Sequence, residues 1–156
     1  MSAPRPDLRD PVQCLACGLG SGLAPVAPGT FGTLVALPVW WLLAPLPVPV
    51  YVGVVGLLAL AGIWLCDRAA RSLGVHDHPG IVWDEIVGYL VTMLAAPPTW
   101  QAMVLGFVLF RAFDIVKPWP IRWLDRRVHG GLGIMLDDLV AGAFAAVVLQ
   151  AVLGFV

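Results

Sequence analysis

Residues 34–66 read LVALPVWWLLAPLPVPVYVGVVGLLALAGIWLC, with no charged side chain from Leu34 to Cys66. One helical crossing of a bilayer core takes about 20 residues, and this block is longer, with Pro45, Pro47 and Pro49 near its middle. Proline lacks the N–H that a helix interior needs, and its ring clashes with the preceding turn. The block therefore reads as two apolar helices joined at a proline-marked turn, a helical hairpin.

The same pattern recurs on the C-terminal side. Residues 86–110, IVGYLVTMLAAPPTWQAMVLGFVLF, are again uncharged and are interrupted by Pro97 and Pro98, which gives a second hairpin. After Asp138 no charge follows, and Leu139 to Val156 is long enough for a last span if its helix begins near Asp138. The predicted fold class is all-α: a polytopic membrane protein of about five apolar helices, with four as the alternative count, built as two proline-turned hairpins plus a C-terminal helix. Composition agrees, since 60% of residues are hydrophobic and 12% charged, against about 25% charged in soluble domains. One membrane-embedded domain over residues 1–156 is expected, with 1–17 as an N-terminal cytoplasmic segment.

Other features narrow the class. The opening MSAPRPDLRDP holds acids and prolines where a removable signal peptide would need an apolar core. Cys14 and Cys17 form a lone CxxC without a second pair, so these thiols and Cys66 read as reduced cysteines rather than a zinc site. Nine basic residues are balanced by ten acidic ones, which excludes a nucleic acid partner. With both proline turns on one side of a membrane, all nine basic residues fall on the other, and the positive-inside rule makes that side cytoplasmic. The carboxylates share it. Tryptophans 40, 41, 64, 83, 100, 119 and 123 cluster near predicted span ends, as an interfacial belt does.

Ile86 to Ala96 gives only about 17 Å of helix against a core of about 30 Å. Starting that helix near Gly80 or Ile81 restores the length and draws Asp84 and Glu85 below the headgroups, as happens to Arg111 and Asp114 at the end of the next segment. Ionisable groups at that depth are costly and face a protein interior or a wet cavity. Helical spacing sets Asp84 beside Gly88, Glu85 beside Gly88 and Tyr89, and Asp138 beside Ala141, Gly142 and Ala145. Those small residues serve close packing, and packing alone is a sufficient reason for each taken singly.

Asp84, Glu85, Asp114, Asp137 and Asp138 are hard oxygen donors of the kind Mg²⁺ takes, and a divalent ion would offset their repulsion. Between them, FRAFDIVKPWPIRWLDRR sets Arg111, Lys117, Arg122, Arg126 and Arg127 around Asp114 and Asp125. Guanidinium forks and an ammonium are what a phosphate needs, although Arg126 and Arg127 read equally well as a positive-inside loop touching headgroups. In PGTFGT, residues 28–33, two Gly-Thr steps precede the first apolar helix; they could present N–H groups to an anion or form a plain turn and cap. His76 and His78, flanking Asp77, and His129 read as hydrogen-bonded loop structure rather than metal ligands. No thiol-phosphatase loop, Asp-x-Asp pair, Lys-x6-Arg-Pro motif or nucleotide-binding Gly-x4-Gly-Lys-Ser/Thr loop occurs, leaving metal-assisted chemistry.

Taken in order, GSGLAPVAPGTFGTL, GVHDHPGIVWDEIVG and FRAFDIVKPWPIRWLDRRVHGGLGIMLDDLVAG resemble the bacterial phosphatidylglycerophosphatase A family over about Gly18 to Gly142. The resemblance implies a Mg²⁺-dependent, multi-pass enzyme of the bacterial cytoplasmic (inner) membrane, with its active site on the cytoplasmic face. Its substrate would be a phospholipid within the bilayer, phosphatidylglycerophosphate, hydrolysed to phosphatidylglycerol and inorganic phosphate. Asp84, Glu85, Asp137 and Asp138 would then hold the metal. Asp114 would be a further ligand or the base that orients water. Arg111, Lys117 and Arg122 would neutralise phosphate oxygens, and Thr30, Gly32 and Thr33 would hold phosphate from the opposite side. The rival from another class is a divalent-cation transporter or channel that uses the same intramembrane carboxylates. The density of arginine and lysine beside the acids counts against it.

Overall fold

Both proline clusters turn the chain where the sequence predicts. In the computed structural model, which describes residues 4–76 and 78–154, α2 (Pro28–Leu43) and α3 (Val48–Leu73) are joined through Ala44–Pro47, with Pro49 in the first turn of α3. α4 (Trp83–Thr92) and α5 (Trp100–Val116) are joined through the Pro97–Pro98 segment, where the Thr99 hydroxyl caps α5 by accepting from the Ala102 N–H at 3.3 Å. A short α1 (Pro11–Ala16), capped by the Asp10 side chain, precedes them. A short α6 (Ile121–Arg127) leads into the long α7 (Gly130–Gly154). Asp77, singled out with its flanking histidines, lies outside the described residues. Among those residues all regular structure is helical.

Among the described residues two helices, α3 and α7, are long and apolar enough to cross a membrane, and α2 is a shorter apolar helix. The outward faces are greasy: Leu42, Leu57, Leu60, Trp64 and Val147 are all more than half exposed. Contiguous apolar surface of this kind marks contact with lipid or a partner.

The second hairpin differs from expectation in one respect. α4 does not reach back to Gly80 or Ile81; it begins at Trp83 and has ten residues, about 15 Å, half of a typical core thickness. The reason is local. The Val82 N–H donates to the Ala16 carbonyl and the Ile81 N–H to the His78 carbonyl, both at 2.9 Å, so this stretch is a buried turn tied to the N-terminal segment. Asp84 and Glu85 consequently fall in the first turn of α4, where the helix dipole favours negative charge. Residues Ile86 to Leu90 are buried, so the short helix is walled in by its neighbours rather than by lipid.

α7 is the central pillar, packed against α3, α4, α5 and α6. Glycines set its approach to two of them. A Cβ on Gly131 would collide with the Ile63 carbonyl of α3, and a Cβ on Gly142 with the Gly88 carbonyl of α4. On the α4 side, a Cβ on Gly88 would meet the Asp138 carbonyl at 2.9 Å and the Phe110 ring at 2.6 Å. Small residues that let backbones touch are how helices associate where no hydrophobic drive separates protein from lipid.

Candidate active site

That backbone contact builds the site. Asp84 lies one turn before Gly88 and Asp138 one turn before Gly142, and side chains lean toward the N-terminal end of their helix. The glycine crossing of α4 and α7 therefore aims the two carboxylates at a common point. Glu85 joins them: one oxygen each from Asp84, Glu85 and Asp138 lie within 4.8 Å of one another, a grouping able to hold a metal ion. Asp84 Oδ1 and Glu85 Oε2 are buried with no hydrogen-bond partner among the described residues. Buried carboxylate oxygens are normally satisfied, so this donor set fits a hard divalent cation such as Mg²⁺, which takes carboxylate oxygens and completes its shell with water or phosphate.

Asp137 is turned elsewhere. Consecutive helix residues do not share a face, and while Asp138 faces α4, Asp137 Oδ2 receives the Lys117 ammonium at 2.7 Å. Lys117 also donates to Asp125 Oδ1 at 3.0 Å. It thus ties the α5–α6 turn to α7. Burial alone would lower its pKa; the hydrogen bond and charge of Asp137, then those of Asp125, outweigh this and hold the ammonium above the ordinary lysine range. Asp137 is thus not among the three acids whose oxygens converge: it lines the same cavity with one oxygen held by Lys117.

Arg111 and Asp114, a helical turn apart on α5, form a short, largely buried ion pair. Both face the same cavity of about 330 Å³ as Asp84, Glu85, Lys117 and Asp138. Among the described residues the cavity thus gathers six carboxylates, counting Asp125 and Asp137, with one guanidinium and one ammonium on its wall.

The PGTFGT segment contributes differently from expectation. The Thr33 hydroxyl is fully buried and donates to the Gly29 carbonyl at 2.9 Å, back-bonding within its own helix. Gly32 is covered by the Val82 side chain. Neither Thr30, Gly32 nor Thr33 lines the cavity, whereas Ala27, Pro28 and Gly29 do. Gly29, from the first of the two Gly-Thr steps, is the glycine of that segment on the cavity wall. A Cβ there would run into Glu85 Oε1 and come within 3.2 Å of Arg111 Nη1, so its missing side chain is the space those two groups occupy. A glycine next to a helix start signals many things, and its neighbours across the bundle were invisible in one dimension.

Arg122 does not join the cavity residues. It is exposed, reaches the Val116 carbonyl at 3.4 Å and lines a neighbouring groove, not this cavity. The histidines act as fasteners. His78 Nδ1 accepts from the Gly80 N–H at 3.0 Å, with its Nε2 2.8 Å from the Pro4 carbonyl oxygen. His76 Nε2 accepts from the Gly130 N–H at 3.1 Å, and its ring meets His129 edge-on at 5.2 Å between centroids. Burial, and secondarily Cys14, pushes the Cys17 thiol up to about 11, which suits an inert buried thiol rather than a thiolate ligand.

With this geometry in hand, comparison with known proteins is specific. The sequence profile described as Phosphatidylglycerophosphatase A matches residues 14–153. Phosphatidylglycerophosphatase A of Escherichia coli (strain K12) is 51% identical over 143 residues, covering 91% of this chain and 83% of that protein. The protein of the same name from Haemophilus influenzae is 43% identical over 147 residues, covering 93% and 90%. No solved structure matches the chain. The match runs through every element that lines the cavity, and on that ground the chain belongs to the phosphatidylglycerophosphatase A family and is a phosphatase.

Proposed function

We propose that the chain hydrolyses the terminal phosphomonoester of phosphatidylglycerophosphate, releasing phosphatidylglycerol and inorganic phosphate, at the cytoplasmic face of a bacterial inner membrane that its helices cross several times. Mg²⁺ is the proposed cofactor, held by Asp84, Glu85 and Asp138. The observation that carries this reading is the convergence of those three carboxylates, two of them with buried unpartnered oxygens, in a cavity that also presents Arg111 and Lys117. Three acids in a low-dielectric setting repel one another strongly unless a cation stands between them. The nearby guanidinium and ammonium favour an anionic substrate over a cation pathway.

In the reaction a water oxygen bonds to phosphorus while the ester P–O bond breaks. The released glycerol oxygen takes up a proton and phosphate departs. The chemistry a bound divalent cation supplies is polarisation of a phosphoryl oxygen and neutralisation of charge. Arg111, steadied by Asp114, offsets phosphate charge, while Asp114 orients the water and accepts its proton. Lys117, fixed by Asp125 and Asp137, supplies positive charge against the negative charge that develops on the leaving oxygen.

The test is phosphate release by the purified protein in neutral detergent micelles containing phosphatidylglycerophosphate. Release should need Mg²⁺, stop with chelator and resume when Mg²⁺ is restored. Asp84→Asn and Asp138→Asn should each remove turnover while the protein still inserts and folds. Cation flux into liposomes without any phosphate release would replace this reading with the transporter.

A further inference from the structure

Beside the catalytic cavity, and sharing Lys117 with it, lies a second groove of about 630 Å³ along the turn from α5 into α6. Its walls combine the indoles of Trp119, 82% exposed, and Trp123, 49% exposed, with the guanidinium groups of Arg122, Arg126 and Arg127. Arg127 sits over the Trp123 ring, 5.6 Å from its centroid. Among the described residues no carboxylate pairs with any of these three arginines. The one acid on their helix, Asp125, is engaged by Lys117. Among the described residues no acidic side chain lines the groove, so it has the opposite character to the carboxylate-rich cavity next door.

We infer that this groove receives the phosphodiester of the lipid substrate while the terminal phosphomonoester occupies the catalytic cavity. The inference rests on the proposed function above. That substrate carries two phosphates joined by a three-carbon glycerol unit, and the protein offers two adjoining recesses that share one lysine as a common wall. Charge complementarity selects the occupant. Arginine forks match phosphate oxygens, and half-exposed indoles suit the amphipathic zone where a lipid's glycerol backbone lies. The groove would make the enzyme prefer a lipid bearing both a monoester and a diester over one bearing the monoester alone.

The experiment uses the full chain in neutral detergent micelles, with substrate expressed as mole fraction in the micelle so that partitioning drops out. In the Arg126→Gln/Arg127→Gln variant, KM for phosphatidylglycerophosphate should rise about tenfold with kcat held within about twofold, the scale of losing charge-assisted contacts to one phosphate. Competitive inhibition by phosphatidylglycerol, which keeps the diester and lacks the monoester, should weaken by the same factor. Inhibition by inorganic phosphate, which needs only the catalytic cavity, should not change. An unaltered KM, or weakening of phosphatidylglycerol and inorganic phosphate inhibition alike, overturns the inference and leaves hydrolysis itself intact. Should the parent protein release no phosphate, the functional reading fails and the inference falls with it. Arg126→Gln alone, an exposed side chain, provides the same readout at about threefold if the double variant does not fold.

Discussion

Lys117 is the sharpest place to test how the site is held together. Its ammonium spans Asp137 at 2.7 Å and Asp125 at 3.0 Å, with side-chain exposures of 27% for Lys117, 9% for Asp137 and 38% for Asp125. The exposed Asp125 contact contributes at most about 1 kcal/mol. Asp137 differs, because removing its partner strands a buried carboxylate whose Oδ1 already lacks one. Breaking such a pair costs about 3–5 kcal/mol, and partial exposure of Lys117 places the loss for Lys117→Met near the lower end, about 3 kcal/mol. In a chain of this size that corresponds to a fall of roughly 6–12 °C in unfolding midpoint. Adding Asp137→Asn removes the stranded charge, so the double variant should recover about 2 kcal/mol of that loss. The assay is a double-mutant cycle on unfolding midpoints in neutral detergent micelles, paired with phosphate release. Stability should return in the double variant while turnover does not, since the cavity has still lost its ammonium. Additive losses, with no recovery, would refute the pairing as the reason for Lys117's position.

Because the folded pKa of Lys117 is raised, its contribution is complete below the unfolded value of about 10.4 and is lost as pH climbs through the folded value. The stability gap between parent and Lys117→Met should therefore be flat from about pH 7 to 9 and shrink only above about 10.4, as read by unfolding midpoints across pH. Gly142→Ala should cost about 2–3 kcal/mol, the upper part of the overpacking range, because the added methyl meets a backbone carbonyl rather than a flexible side chain; unchanged thermal unfolding would contradict the contact. Gly29→Ala should depress turnover at least about tenfold with a smaller stability loss, since its methyl displaces Glu85 and crowds Arg111; the check is kcat beside the unfolding midpoint. Saturating Mg²⁺ should raise the unfolding midpoint by the equivalent of about 2.7 kcal/mol at a hundredfold excess over Kd, and Asp138→Asn should abolish the rise.

Much of this was legible in one dimension because charge and proline are punctuation in an apolar chain. The uncharged blocks and their prolines located the α2–α3 and α4–α5 turns, and the depth argument picked out Asp84, Glu85, Arg111 and Asp114. Partner choice was not legible. Asp137 and Asp138 are identical neighbours in sequence, and only the rotation of α7 against α4 decides that one meets two other acids and the other meets Lys117. The length of α4 was misjudged for a similar reason. The hydrogen bond from Val82 to Ala16 that shortens it joins residues far apart in the chain, and periodicity carries no trace of such a tie. Thr30 and Thr33 came in through the two Gly-Thr steps, whose N–H groups at a helix start can meet an anion; Thr33 spends its hydroxyl on the Gly29 carbonyl of its own helix.

The contact of Gly88 with Gly142 also bears on how this enzyme can be altered. Glycine within a helix is usually an opening for improvement, since alanine there narrows the conformational freedom of the unfolded chain and so raises stability. Here the main chains of α4 and α7 themselves act as the spacer between the acids one turn away. Thermostability engineering and catalytic competence are consequently locked to the same two positions, and gains must be sought on the exposed sides of α3 and α5 instead.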